Sequence, residues 1–192
     1  MRREKPDIWA QLLIAILFII GCFFFFQLVV PSHLFLKEQT QLFIFTADYF
    51  LAYLDKPAWF TRYIGDFLTP FYYLRGGGPV VSSLVLVVDW YLLVRVFRIF
   101  KLNNPAPWLA LFPVMAEWLL CCQLSYSIAS PISFISILLL FLLYTKIGYR
   151  VLSVFIGLVF ITVFFSLLGA VIFLFPVLLV LYDIQNGRKI WI

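Results

Sequence analysis

The feature that most constrains this chain is a run without a single charged residue, Ile8 to Val30. As a helix its 23 residues reach far enough, at about 1.5 Å per residue, to cross a hydrocarbon core of about 30 Å with some tilt. Arg2, Arg3 and Lys5 precede the run much as they would in a secretory signal. It is too long for a signal core, however, and no A-x-A cleavage pattern follows before Pro31. The segment therefore predicts an uncleaved membrane anchor.

Composition extends that reading to the whole chain. Of the 192 residues, 65% are hydrophobic and 12% charged, with 23 Phe and a mean hydropathy of +1.06. A soluble globule averages about 25% charged residues and needs a polar exterior, so a soluble enzyme is excluded. The net charge of +5 and pI near 9.2 arise from short basic clusters between apolar runs, a topology signal and not a nucleic-acid-binding stripe.

Further apolar runs divide the chain into an all-α, polytopic transmembrane bundle of about six spans, treated as one domain over 1–192. The expected spans are 8–30, 80–97, 107–124, 132–145, 151–166 and 168–182, with an external loop at 31–79. The last two come from a single run of 32 residues, Val151 to Tyr182, which as one helix would measure roughly 48 Å. A break near Ser166 to Gly169 divides it, and Pro176 is an alternative kink. Basic residues set the orientation. Ten of the 14, at positions 2, 3, 5, 95, 98, 101, 146, 150, 188 and 189, fall on the side of the termini. The other four, Lys37, Lys56, Arg62 and Arg75, are balanced in the loop by Glu38, Asp48, Asp55 and Asp66. Both termini are thus expected in the cytoplasm.

The loop itself predicts two juxtamembrane amphipathic helices. Phe60, Tyr63, Ile64, Phe67 and Leu68 recur at steps of three and four residues, with Thr61, Arg62, Gly65, Asp66 and Thr69 on the other face, expected toward water or a neighbour. A similar pattern runs from Thr40 to Asp55, and the two divide near Lys56 and Pro57. Charged groups beside a membrane surface are candidates for handling a phosphorylated lipid. Arg62 and Arg75 suit phosphate oxygens; Glu38, Asp48 and Asp66 suit the role of base. Gly76, Gly77 and Gly78 could offer backbone N–H groups to an anion, or simply form an entry into the next helix.

Two acids fall inside expected spans, Asp89 and Glu117. Burying either charge in lipid would cost several kcal/mol, so both should face the bundle interior, as proton or ion carriers or as hydrogen-bonded structural acids. Cys22, Cys121 and Cys122 lack metal or redox spacing, and adjacent cysteines on a helix diverge too far for a disulfide. A lone His33 builds neither a His-rich metal site nor a Ser-His-Asp triad. No metal, cofactor or nucleic acid is expected.

The order of a long anchor, then Phe35-Leu36-Lys37-Glu38-Gln39-Thr40-Gln41-Leu42-Phe43, then Phe67-Leu68-Thr69 and Tyr73 through Gly78, resembles the start of a family of multi-pass bacterial inner-membrane proteins of unknown function. The resemblance spans about 1–98, is most specific around Glu38-Gln39-x-Gln41, and implies a shortened member, or a fragment, of a longer family. More distantly, an acid soon after the first span is similar to membrane-embedded glycosyltransferases that use polyprenyl-phosphate sugars. It would cast Glu38 as the base, although Gln39 breaks their paired-acid motif and only half their spans are present. The leading expectation is a non-enzymatic accessory or structural component of envelope biogenesis, partnered by the bilayer and by another membrane protein. The alternatives are a reduced glycosyltransferase acting on a polyprenyl-phosphate lipid, and a small transporter or proton-coupled channel using Asp89 and Glu117.

Overall fold

The structure, a computed structural model, describes residues 8–40, 43–147 and 163–185. Every regular element among the described residues is helical. The order is α1 (Ile8–Leu28), α2 (Pro31–Thr40), α3 (Ala47–Leu54), α4 (Trp59–Leu68), a 3₁₀ turn (Thr69–Tyr73), α5 (Gly77–Ile99), α6 (Ala106–Leu109), α7 (Leu111–Cys121) and α8 (Ala129–Ile147). Helical residues 163–168 follow, then a 3₁₀ turn (Gly169–Phe173) and α9 (Leu174–Gln185).

Four helical stretches are long and apolar enough to cross a membrane: α1, α5, α8 and Val163–Gln185. The expected third span is instead the shorter apolar helix Ala106–Cys121, whose 16 residues reach only about 24 Å. Pro113 accounts for its division into α6 and α7, because proline has no N–H for the carbonyl four residues earlier, that of Leu109. Residues 148–162, which hold most of the expected fifth span, lie outside the described residues, as do Arg2, Arg3, Lys5, Arg150, Arg188 and Lys189. The expected break near Ser166 to Gly169 coincides with a change from α to 3₁₀ geometry at Gly169, whose φ is +76°.

The chain forms two compact units. The first comprises Met1–Leu42 and Leu68–Tyr126. Its central helix is α5, against which α1, α2, α6, α7 and the first 3₁₀ turn all pack. Leu86, Trp90, Val94 and Val96 of α5 are buried, together with Phe26 of α1 and Val114 of α7. The indole Nε1 of Trp90 donates to the Pro107 carbonyl at 3.0 Å and so ties α6 to α5. By contrast α1 leaves Trp9, Leu13, Leu17 and Phe24 exposed, as lipid-facing side chains would be.

The second unit comprises Phe43–Phe67 and Ser127–Ile192. Thr46 caps α3, its side chain accepting from the Tyr49 N–H at 3.3 Å. On α4, Thr61 and Gly65 are buried, whereas Phe60 and Phe67 are exposed. The seam is with the start of α8. Ser133 Oγ donates to Thr61 Oγ1 at 2.9 Å, and a Cβ at Gly65 would come within 2.9 Å of the Ala129 backbone nitrogen. The helical period expected for this segment is present, and of the two surroundings expected for the Thr61 and Gly65 side, water or a neighbour, the structure shows a neighbour, the start of α8. Small residues let two backbones approach closely, and in lipid that packing replaces the hydrophobic drive that would bury Phe60 and Phe67 in water. Elsewhere in this unit, the Phe141 and Tyr182 rings meet edge-on at 6.0 Å, as do Tyr144 and Phe175 at 6.3 Å.

Candidate functional site

Within the first unit, α5 carries the group that asks most of its surroundings. Asp89 has no exposed surface, and neither carboxylate oxygen has a hydrogen-bond partner among the described residues. Ser82 sits seven residues earlier on the same face of α5 and is also buried, and the buried hydroxyl of Ser83 has no partner either. Buried polar groups are nearly always hydrogen-bonded, so three unpaired oxygens on one helix are unusual. Glu117 lies on α7, which packs against α5. The two acids that the sequence singled out thus sit on neighbouring helices.

Glu117 differs from Asp89 in having a donor. The Tyr126 hydroxyl donates to its Oε1 at 2.5 Å. Around them α2 contributes His33 and Lys37, which a reading of loop charges did not connect with α7. His33 Nδ1 lies 3.1 Å from the Cys122 carbonyl oxygen, and Lys37 Nζ donates to the Cys121 carbonyl at 3.0 Å. Their i, i+4 spacing places both at the C-terminal end of α7, where carbonyls lack intrahelical partners and the helix dipole favours positive charge. That spacing was the available signal, and only the fold shows which helix it serves. Lys37 is buried, and burial lowers its affinity for a proton below that of an ordinary lysine.

The remaining candidates are dispersed. Glu38 lies on α2. Asp48 occupies the first turn of α3, where its charge complements the helix N-terminus. Asp66 accepts a hydrogen bond from the Tyr53 hydroxyl, which in turn is 2.8 Å from the Tyr49 hydroxyl. Burial, reinforced by Asp66 and Tyr49, pushes the Tyr53 phenol well above its ordinary value. Arg62 and Arg75 are exposed, in different units.

The glycine run has a steric reason for its composition. Gly76 adopts φ +83° at the start of α5. A Cβ at Gly77 would lie only 2.0 Å from the Phe71 carbonyl oxygen, and the Gly77 N–H already donates to Leu74 at 2.7 Å. At Gly78 a Cβ would press on Leu34 at 3.1 Å. The run therefore closes a tight corner between the 3₁₀ turn and α5. Cys22, Cys121 and Cys122 are free thiols, and no group of three His, Cys, Asp or Glu side chains among the described residues could hold a metal ion.

A family model matches residues 7–192. The chain belongs to DUF6057, a family of unknown function. The match continues well beyond the first 98 residues on which the sequence resemblance rested, and it includes both units of this DUF6057 chain. No curated protein and no solved structure matches it.

Proposed function

We propose that this chain is a non-enzymatic component of the bacterial inner membrane, with Asp89 as its working group. A change in the protonation of Asp89, assisted by Glu117, alters the packing of α5 and with it the protein's hold on a membrane partner or the passage of a small solute. The observation that carries the reading is the complete burial of Asp89 with neither oxygen partnered among the described residues. A carboxyl kept for structure alone is expected to have donors around it, and an acid inside a membrane helix marks a functional position by default. Six crossings, both termini in the cytoplasm, two interfacial helices in the first external loop and a role in envelope biogenesis complete the proposal. Support for the topology comes from the basic residues, ten of 14 on one side. No observation among the described residues favours the polyprenyl-phosphate-sugar transferase reading.

Infrared difference spectroscopy on the purified chain in lipid tests this directly. Across a pH titration the wild type should show a carboxylic-acid C=O band that appears and disappears, and Asp89→Asn should remove it. Glu117→Gln should shift the midpoint without removing the band. If the titrating bands of wild type and Asp89→Asn coincide, Asp89 is not the responsive group. Proteoliposome fluxes, compared for the same two proteins, then separate transport from a purely conformational response.

A further inference from the structure

At the C-terminal end of α5, Arg95, Arg98 and Lys101 form the basic edge that closes a membrane-length helix. Between Asp89 and Glu117 the chain contains no other acidic residue, so this edge has no acidic neighbour in sequence. Arg95 is accounted for. Its Nε and Nη2 donate to the Tyr91 hydroxyl at 3.0 and 2.5 Å, and its guanidinium lies over the Tyr91 ring at 5.1 Å. This holds one exposed positive charge in place.

Arg98 is not accounted for. Its Nε and Nη2 are enclosed, yet neither has a hydrogen-bond partner among the described residues. Guanidinium cannot shed its charge in a protein, and each enclosed N–H left unpaired is costly. Arg95 and Arg98 also sit three residues apart on one helix, where like charges repel. Lys101 adds a second anomaly. It terminates the helix at φ +62°, with Leu102 N–H donating to Phe97 O at 3.0 Å. That position ordinarily belongs to glycine, since any side chain there is strained. Strain of this kind, at a residue contributing a third positive charge, is a pointer to function.

We infer that Arg98, flanked by Arg95 and Lys101, binds the phosphate of an anionic phospholipid headgroup at the end of α5. A phosphate diester offers two unesterified oxygens for the guanidinium fork once the half-buried Arg98 side chain turns outward and frees its enclosed Nε and Nη2, and the fork geometry of arginine suits such bidentate binding. Its negative charge offsets the Arg95–Arg98 repulsion. Headgroups lie where a membrane-crossing helix ends, and the exposed Trp108 on α6, just beyond the turn, is the residue type that favours this depth. The inference rests on the reading that α5 crosses a membrane. It does not depend on Asp89.

The test is native mass spectrometry of the full chain in detergent, titrated separately with phosphatidylglycerol, phosphatidylcholine and inorganic phosphate. Wild type should retain phosphatidylglycerol in preference to phosphatidylcholine. Arg98→Gln should weaken that retention roughly tenfold, the scale of one charge-assisted hydrogen-bond pair. Arg98→Lys, which keeps the charge and loses the fork, should fall between. Lys101→Gly relieves the strained backbone, and so serves as the variant whose folding is not at risk; it should weaken retention by a smaller factor. Binding of inorganic phosphate alone, lost in Arg98→Gln, would keep the oxyanion site and assign it to a free anion. Equal retention of the two lipids by wild type, or unchanged retention in Arg98→Gln and Lys101→Gly, would overturn the inference. Extraction of the chain from membranes by alkaline carbonate would instead count against the spanning role of α5.

Discussion

Asp66, half-buried, and Asp89, fully buried, are acids on helices, one in each unit, and their surroundings are opposite. Asp66 receives the Tyr53 hydroxyl, which is itself in contact with the Tyr49 hydroxyl. One turn before it on α4, Arg62 remains exposed, while the Thr61 hydroxyl is bound by Ser133. The Tyr53–Asp66 and Ser133–Thr61 bonds each fix one helix against another. Asp89 has no such donor among the described residues, though it sits on the helix around which its unit is built. The polar groups at the Tyr53–Asp66 and Thr61–Ser133 contacts are committed to the fold, whereas Asp89 is held without such a commitment among the described residues. Residue type alone does not separate a structural acid from a responsive one; what surrounds its oxygens does.

This contrast can be broken in four ways, each read as stability in detergent by thermal or denaturant unfolding. The largest effect is expected for Gly65→Val. Its added carbons would meet the Ala129 backbone, separate Thr61 from Ser133 and cost about 2–3 kcal/mol by overpacking. Asp66→Leu should follow at about 2 kcal/mol, because it leaves the Tyr53 hydroxyl enclosed without its acceptor. A smaller loss, about 1 kcal/mol, is expected for Tyr53→Phe.

That substitution also carries a pH signature. A tyrosine ordinarily ionises near 10.0, and the folded Tyr53 holds its proton well above that. Its contribution is complete below the ordinary tyrosine range and is lost as pH rises from there toward the folded value. Wild type should therefore lose stability in alkali more steeply than Tyr53→Phe. Asp89→Asn should have the smallest effect, within about 0.5 kcal/mol or slightly stabilising, since no hydrogen bond observed at its oxygens is lost. A loss from Asp89→Asn as large as that from Asp66→Leu would erase the distinction between the two acids.

Much of the fold was legible because uninterrupted apolar length is a strong signal. The runs at 8–30, 80–97 and 132–145 became α1, α5 and α8 with ends displaced by a few residues. The weaker third run was overextended, since Pro113 and the turn after Cys121 shorten what composition alone makes continuous. Helix α2 went unread: Pro31–Thr40 is of mixed polarity without a clear face, and its His33 and Lys37 bond to the end of a helix more than 80 positions away, at separations of 89 and 84 residues. For α4 the period was visible and the direction was not. Period reports which residues share a face, whereas small residues and lipid decide which face is covered. The acids of α5 and α7 stood out as charges in apolar sequence, but only the fold distinguishes Glu117, which accepts from Tyr126, from Asp89, which has no partner among the described residues.

One contact in the second unit bears on how this family can vary. Ala58, between α3 and α4, adopts φ +60° although it is not a glycine. Its Cβ occupies the space that a methyl on Gly169 would need, at a separation of 2.9 Å. The two positions are therefore not independent coordinates of sequence change. So long as residue 58 carries a side chain, residue 169 is confined to glycine by both its own φ and its neighbour. Across relatives, any departure from glycine at 169 should therefore come together with glycine at 58 and a changed backbone at 169.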